Sequence, residues 1–280
     1  MNTSASTEAE WATIAPDKLL IATKTKVWLE SPWLSSERFT QPMTGRGNAV
    51  ITSKLLDGAM AAAKMAIAAT EKPPTLTLYR LVWQLTGAYH ISHATPNLME
   101  EAGQRFAQAL RHDLSNWAYD KARKEIGHDH LALLDIESLG YQAEELVRSV
   151  IPPAAKILVD YFQRSVDDID PIDCVGYVYA LERMSLGAKP EHIQQIENLL
   201  PPEVNATRCL KEHSSLGSDG RHVAENVDVI ARLSTPERDR VIRACYETAL
   251  LLFSPPPEGY WLERQLETIL KPFKLPKEVY

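Results

Sequence analysis

Acidic and imidazole side chains recur at helical spacing in two places in this sequence. In KEIGHDHLALLDIESLG, Lys124 to Gly140, Glu125 and His128 stand three residues apart. On a helix this spacing sets both side chains on one face, close enough to share a metal ion. Asp135, seven residues beyond His128, returns to the same face, while His130 points elsewhere. In HSSLGSDGRHVAEN, Asp219 and His222 repeat the acid-to-histidine spacing. The same spacing also describes solvated helix faces, with Asp219 capping a helix start.

Other side chains carry less chemistry. Glu182 lies among Tyr179, Leu181 and Met184, so a glutamate buried there needs a partner cation. His90 and His93 can line a cavity around such a site or serve as structural histidines, and His112 and His192 read as surface residues. Cys174, Cys209 and Cys245 are far apart and form no CxxC pair, which argues for small buried apolar residues rather than a disulfide framework or thiolate site. No G-x-S-x-G elbow, Walker-type loop or dinucleotide-binding glycine fingerprint is present, which excludes the hydrolases and nucleotide enzymes those motifs mark.

The elements that must position these residues read as helices. Leu78, Val82, Leu85 and Tyr89 recur every three or four residues in a helix expected from Pro73 to Ala94, and another opens at Pro152-Pro153 with Ile157, Leu158, Tyr161 and Phe162 on its apolar face. Thr235 followed by Pro236 predicts an N-cap and first turn for a helix that stops at Ser254-Pro255-Pro256-Pro257. The alanine-rich stretch between Gly47 and Thr70 predicts a packing helix. Further helices are expected at Asp17 to Leu29, Pro96 to His112, Leu114 to Leu139, Val175 to Leu186, Pro190 to Leu200, Glu203 to His213, Gly220 to Leu233 and Glu258 to Leu270. Glu30 to Arg46 has no clean period and reads as a loop that can cross a pocket mouth. The expected architecture is all-α: a single helical domain over residues 13–280 behind a disordered tail at 1–12.

With 280 residues, 45% of them apolar, the chain can build an extended core. Its net charge of -7 offers no basic excess for nucleic acid or an anionic membrane. No apolar run approaches the roughly 20 residues of a membrane span, and residues Met1 to Trp11 lack a secretory signal pattern. A soluble, cytoplasmic protein is the expectation, and a homodimer is open to it.

The succession EIGHDHLALLDIESLG, GYVYALERMSLG and HSSLGSDGRHV resembles the haem-oxygenase-like superfamily. Its landmarks are an acidic-GH-x-x-L-x-x-D-x-x-x-LG helix, a G-x-x-Y-x-x-E-x-x-x-LG helix and a late helix carrying His and Asp-x-x-His. The resemblance covers Leu81 to Leu233 and is nearest to the haem-oxygenase-like diiron oxidases and oxygenases, the iron-containing redox enzymes. It implies a haem-oxygenase-like helical bundle binding two non-haem irons, or manganese, through Glu125, His128, Glu182, His213, Asp219 and His222. Glu125, His128, Glu182 and His222 carry the catalytic expectation. The implied reaction is a dioxygen-dependent oxidation of a small amine, amino acid or fatty acid. One departure stands out: His213 lies six residues before Asp219 and nine before His222, so an unbroken helix would put it opposite His222. The segment Asp17 to Trp28 contains no histidine for an axial haem ligand, which argues against haem.

Two other classes stay open. A metal-free relative, like thiaminase II or pyrroloquinoline quinone synthase, would use the cavity acids and histidines for proton transfer. A non-catalytic helical scaffold would bury apolar residues at positions 125, 128, 182 and 222, where this chain has acids and histidines.

Overall fold

The computed structural model describes residues 8–36, 39, 43, 45–67, 75–187, 189–214, 219–254 and 261–276, with backbone only at 219–221. Two compact units interleave along the chain: residues 1–70, 172–182 and 221–254 form the first, and 71–171, 183–220 and 255–280 the second. Helices dominate both, as the periodicity predicts. Among the described residues no helix is long and apolar enough to cross a membrane.

The first unit opens on a sheet where a tail and a helix were expected. Strands β1 (Ala9–Ala15), β2 (Lys18–Thr23) and β3 (Val27–Glu30) pair antiparallel in the order β1-β2-β3. Ala9 to Ala12 therefore belong to β1 rather than to a disordered tail, and Asp17 to Leu29 do not form a helix. The reason is local: Pro16 and Asp17 make the turn joining Ala15 to Lys18, and Ile14, Ile21, Thr23 and Val27 are β-branched. Leu19, Leu20, Ile21 and Ala22 are all buried, so β2 lacks the alternation that would have marked it as a strand.

Helices α1 (Ala49–Ile67) and α11 (Thr235–Phe253) pack on this sheet and on each other. The N-cap of α11 is Ser234, one residue before the expected Thr235; its backbone N–H and hydroxyl both donate to Glu237, at 2.8 and 2.7 Å. Helix α7 (Asp173–Ser185) runs against α11, and a Cβ at Gly176 would collide with the backbone carbonyl of Val241. Glycine there lets the two backbones approach. Helix α10 (Asp219–Arg232) completes the unit from Arg221 onward.

The second unit is built on α2 (Leu78–Gln108), a single 31-residue helix with Pro96 inside it. Two helices separated at Pro96 were expected, because proline removes a ladder bond at a cost of about 3 kcal/mol. Here burial on both sides offsets that loss: Leu81, Val82 and Leu85 before the proline, Leu98, Met99, Ala102 and Phe106 after it. Its start is capped by Thr77, whose hydroxyl accepts from the Arg80 N–H; residues 71–74, where the expected start at Pro73 falls, lie outside the described residues.

Helices α3 (His112–Glu125), α4 (His128–Ser138) and α6 (Pro153–Asp167) pack on α2, with the short α5 (Ala143–Ser149) between α4 and α6 in sequence. Helices α8 (Pro190–Leu199), α9 (Arg208–Glu212) and α12 (Glu263–Leu270) follow. Ala132 and Ile136 of α4 join Leu81, Val82, Leu85, Leu146 and Val147 in one apolar cluster. That cluster fixes α4 against α2.

Candidate metal centre

The helix expected from Leu114 to Leu139 is two helices, and the break between them builds the site. Helix α3 ends at Glu125, Ile126 is extended, and Gly127 takes φ +89°, a left-handed conformation that glycine adopts without penalty. Nothing lies within 4 Å of where a Cβ would sit on Gly127, so its demand is conformational rather than steric. Helix α4 then starts at His128. Glu125 and His128 thus meet across a junction, yet Glu125 Oε2 and His128 Nδ1 are 3.0 Å apart.

His213 comes from the one-turn helix α9, as its C-cap residue. Its ring meets His128 edge-to-face, centroids 4.7 Å apart. Each of Glu125, His128 and His213 offers a ligand atom within 4.8 Å of those of the other two. Among the described residues this is the one group of acidic, imidazole or thiol side chains so placed. The nine-residue separation from His222 does not bear on this placement, because residues 215–218, between α9 and α10, lie outside the described residues and no unbroken helix over His213 to His222 is described.

The geometry suits an ion. Two ligand atoms bonded at about 2.1 Å and at right angles stand about 3 Å apart, close to the Glu125 to His128 separation. One ligand atom from each of the three side chains lies within 4.8 Å of the others, so Glu125, His128 and His213 are the residues that would hold an ion here. Protonation states suit it as well. Burial alone would raise the Glu125 carboxyl, but the hydrogen bond with His128 and the charges of His213, His128 and Lys121 outweigh it and hold its pKa below the ordinary value. Burial lowers the His213 pKa, aided by His128 and opposed by Glu125 and Glu212, which favours the neutral imidazole a metal requires.

Glu182, on α7, and His222, on α10, are buried polar side chains of the first unit, 8% and 6% exposed. Asn226 Nδ2 donates to Glu182 Oε2 at 2.6 Å, and His222 lies one turn before Asn226 on α10. The Asp219 side chain lies outside the described residues. Asp135 does not join the cluster. It is fully buried and accepts from the backbone N–H groups of Arg208 and Cys209 and from the Arg208 guanidinium.

His90 approaches the Val150 carbonyl at 2.9 Å, and the exposed His93 pairs with Asp129 at 2.7 Å and stacks on Tyr89. His112 and His192 are exposed, and all three cysteines are buried and unbridged, as expected. Sequence reasoning missed Lys121, buried one turn before Glu125, and Asn226. Helical spacing from Glu125 and from His222 would have found both.

No family model matches the chain, and no curated protein matches it in sequence. Solved structures similar in fold include the following two. One is a domain of unknown function with a heme oxygenase-like fold from Shewanella denitrificans, 21% identical, with a TM-score of 0.54 over 79% of this chain and 89% of that one. The other is a TenA homolog from Pseudomonas syringae pathovar tomato, 13% identical, with a TM-score of 0.55 over 76% of this chain and 96% of that one.

Proposed function

We propose that this chain, which has the haem-oxygenase-like fold, is an enzyme acting on a small organic molecule, and that Glu125, His128 and His213 hold a non-haem iron at its reacting centre. The observation that carries the proposal is the convergence of one carboxylate and two imidazoles, the ligand set of non-haem iron(II) oxygenases with open positions. Iron, when bound, would supply redox chemistry toward dioxygen, and manganese is the second choice. Glu125 offers charge to offset that of the cation, and His213 offers a neutral nitrogen. The helix junction at Ile126 and Gly127 aims two ligands without requiring a continuous helix. Two irons per chain is the fuller form of the proposal, with Glu182, Asp219 and His222 as the added ligands. An amine, amino acid or fatty acid is the substrate class in keeping with it.

The second reading is metal-free. It is favoured by the likeness to a TenA homolog and by the 3.0 Å contact of Glu125 with His128, a ready carboxylate–imidazole pair for moving a proton. Here Glu125 would orient the His128 ring, and His128 would exchange a proton with substrate through its other nitrogen.

Anaerobic loading with iron(II), removal of unbound metal and exposure to dioxygen separates the two. The metal reading expects at least one iron retained per chain, and two in its fuller form, with an absorbance change on adding dioxygen. Protein that retains no iron and shows no such change would leave the metal-free reading in possession.

A further inference from the structure

We infer that Asp135 is the positioning residue that delivers His213 to Glu125 and His128, an inference that rests on the metal reading for its functional meaning. Helix α9 is only five residues long, Arg208–Glu212. A helix this short does not hold itself together in water, so its place must be set from outside. Its own N-cap residue gives no help, because the Thr207 hydroxyl is directed at Glu197.

Asp135 supplies what Thr207 does not. Its Oδ1 accepts from the Arg208 backbone N–H at 3.2 Å and from the Arg208 guanidinium at 3.0 Å, and its Oδ2 accepts from the Cys209 N–H at 3.0 Å. These are the first two N–H groups of α9, which have no partner within the helix. The Arg208 guanidinium also reaches Ser138 Oγ at 3.1 Å, one turn further along α4. A carboxylate with no solvent exposure, holding three donors at once, fixes both the place and the direction of the helix it caps.

The consequence is carried along two antiparallel helices. Asp135 lies two turns into α4, the helix that starts with His128, and Ala132 and Ile136 anchor α4 in the apolar core. The far end of α9 is His213, whose N–H donates to the Cys209 carbonyl at 3.3 Å. One residue, Cys209, is thus gripped by Asp135 through its N–H and linked to His213 through its carbonyl. The pair is pinned at two points, Asp135 to Arg208 and Cys209, and His128 to His213. Removing the first releases the helix that carries the second. Asp135 therefore acts through His213 and touches no ligand itself.

The test reads the ring contact first in metal-free protein. With histidine-selective labelling, the cross-relaxation between the His128 and His213 rings is expected in the parent and in Ile136→Ala, a core change on the same helix. It is expected to vanish in Asp135→Asn and in the smaller Asp135→Ser, either of which decides the outcome. The second arm titrates cobalt(II) into the same proteins. Asp135→Asn should weaken binding by about tenfold or more, in the range found for partners outside the ligand shell. Because Asp135 works through His213, the double variant with His213→Ala should bind no more weakly than His213→Ala alone. A cross-peak retained in the Asp135 variants, or losses that add in the double variant, would overturn the inference. A parent that takes up no cobalt would sink the metal reading instead, and the ring contact alone would then decide the role of Asp135.

Discussion

Glu10 and Glu125 are both glutamates withdrawn from water, one in each compact unit, and their surroundings push their pKa values in opposite directions. Burial dominates at Glu10 and raises its pKa, although the Asn48 N–H, Arg238 and Thr52 oppose it. At Glu125 burial is outweighed by two imidazoles and a lysine. The partners explain the difference. Glu10 accepts from the Asn48 N–H at 2.6 Å and faces Arg238 at 3.6 Å, while Arg238 also donates to the Leu233 carbonyl at 2.8 Å. Those contacts tie β1 to the start of α1 and to α11. They build structure and leave no ligand positions in common. Glu125 instead has two imidazole rings beside it, side chains of a type that can bind a metal in the neutral form. Buried charge alone does not mark a site; buried charge among convergent donor atoms does.

The largest expected effect comes from cutting into that second kind of region. Glu125→Ala removes the one carboxylate of the trio, and losing a ligand should exceed the 10- to 100-fold typical of outer partners, so iron(II) affinity should fall by more than about 100-fold. Competition titration with a chelator measures it. An unchanged affinity would break the comparison at its functional side.

Next in size is Arg238→Met, which takes the cation away from buried Glu10 and the guanidinium donor away from the Leu233 carbonyl. Breaking one partner out of a buried pair costs about 3 kcal/mol, to be read from urea unfolding, and metal affinity should stay at the parental value. A large loss of affinity would contradict a purely structural role for the Glu10–Arg238 pair.

A smaller and sharper test uses the opposite pKa directions. Glu10 has a raised folded pKa, so its contribution to stability is full below the ordinary glutamate value and is lost as pH rises through the folded value. Glu125 has a lowered one, so its contribution is present above the ordinary value and is lost as pH falls through the folded value. Unfolding followed across the acid range should therefore show Glu10→Gln gaining on the parent as pH rises and Glu125→Gln losing ground. Slopes of the same sign would contradict the assignment of causes. The smallest effect is expected at His93, 59% exposed and paired with Asp129: His93→Ala should change stability by less than about 0.5 kcal/mol and leave metal affinity alone.

Much of the helical frame is legible in the sequence because apolar residues recur at helical spacing, as in α6, α8 and α10. The N-terminal sheet is not, because β2 is buried from Leu19 to Thr23 and shows a continuous apolar run, Leu19 to Ala22, where alternation would have signalled a strand. Glu125 and His128 are legible as a pair, but for an incomplete reason. Their spacing reads as one continuous helix, whereas Ile126 and Gly127 separate α3 from α4 and the contact forms across the junction. His213 is legible only through the resemblance, since the N–H groups that place its helix are held by Asp135, more than seventy residues away in the chain. The partnership of Asn226 with Glu182 joins residues 44 apart in sequence, beyond the reach of any local pattern.

Whether Glu125, His128 and His213 hold a metal ion is decided by a crystal structure of iron- or manganese-loaded protein with anomalous scattering collected at the metal edge. The expected result is an anomalous peak about 2.0 to 2.2 Å from a Glu125 carboxylate oxygen and from one ring nitrogen each of His128 and His213. Loaded crystals with no anomalous peak among these three side chains, and with the Glu125 to His128 hydrogen bond intact, would contradict it.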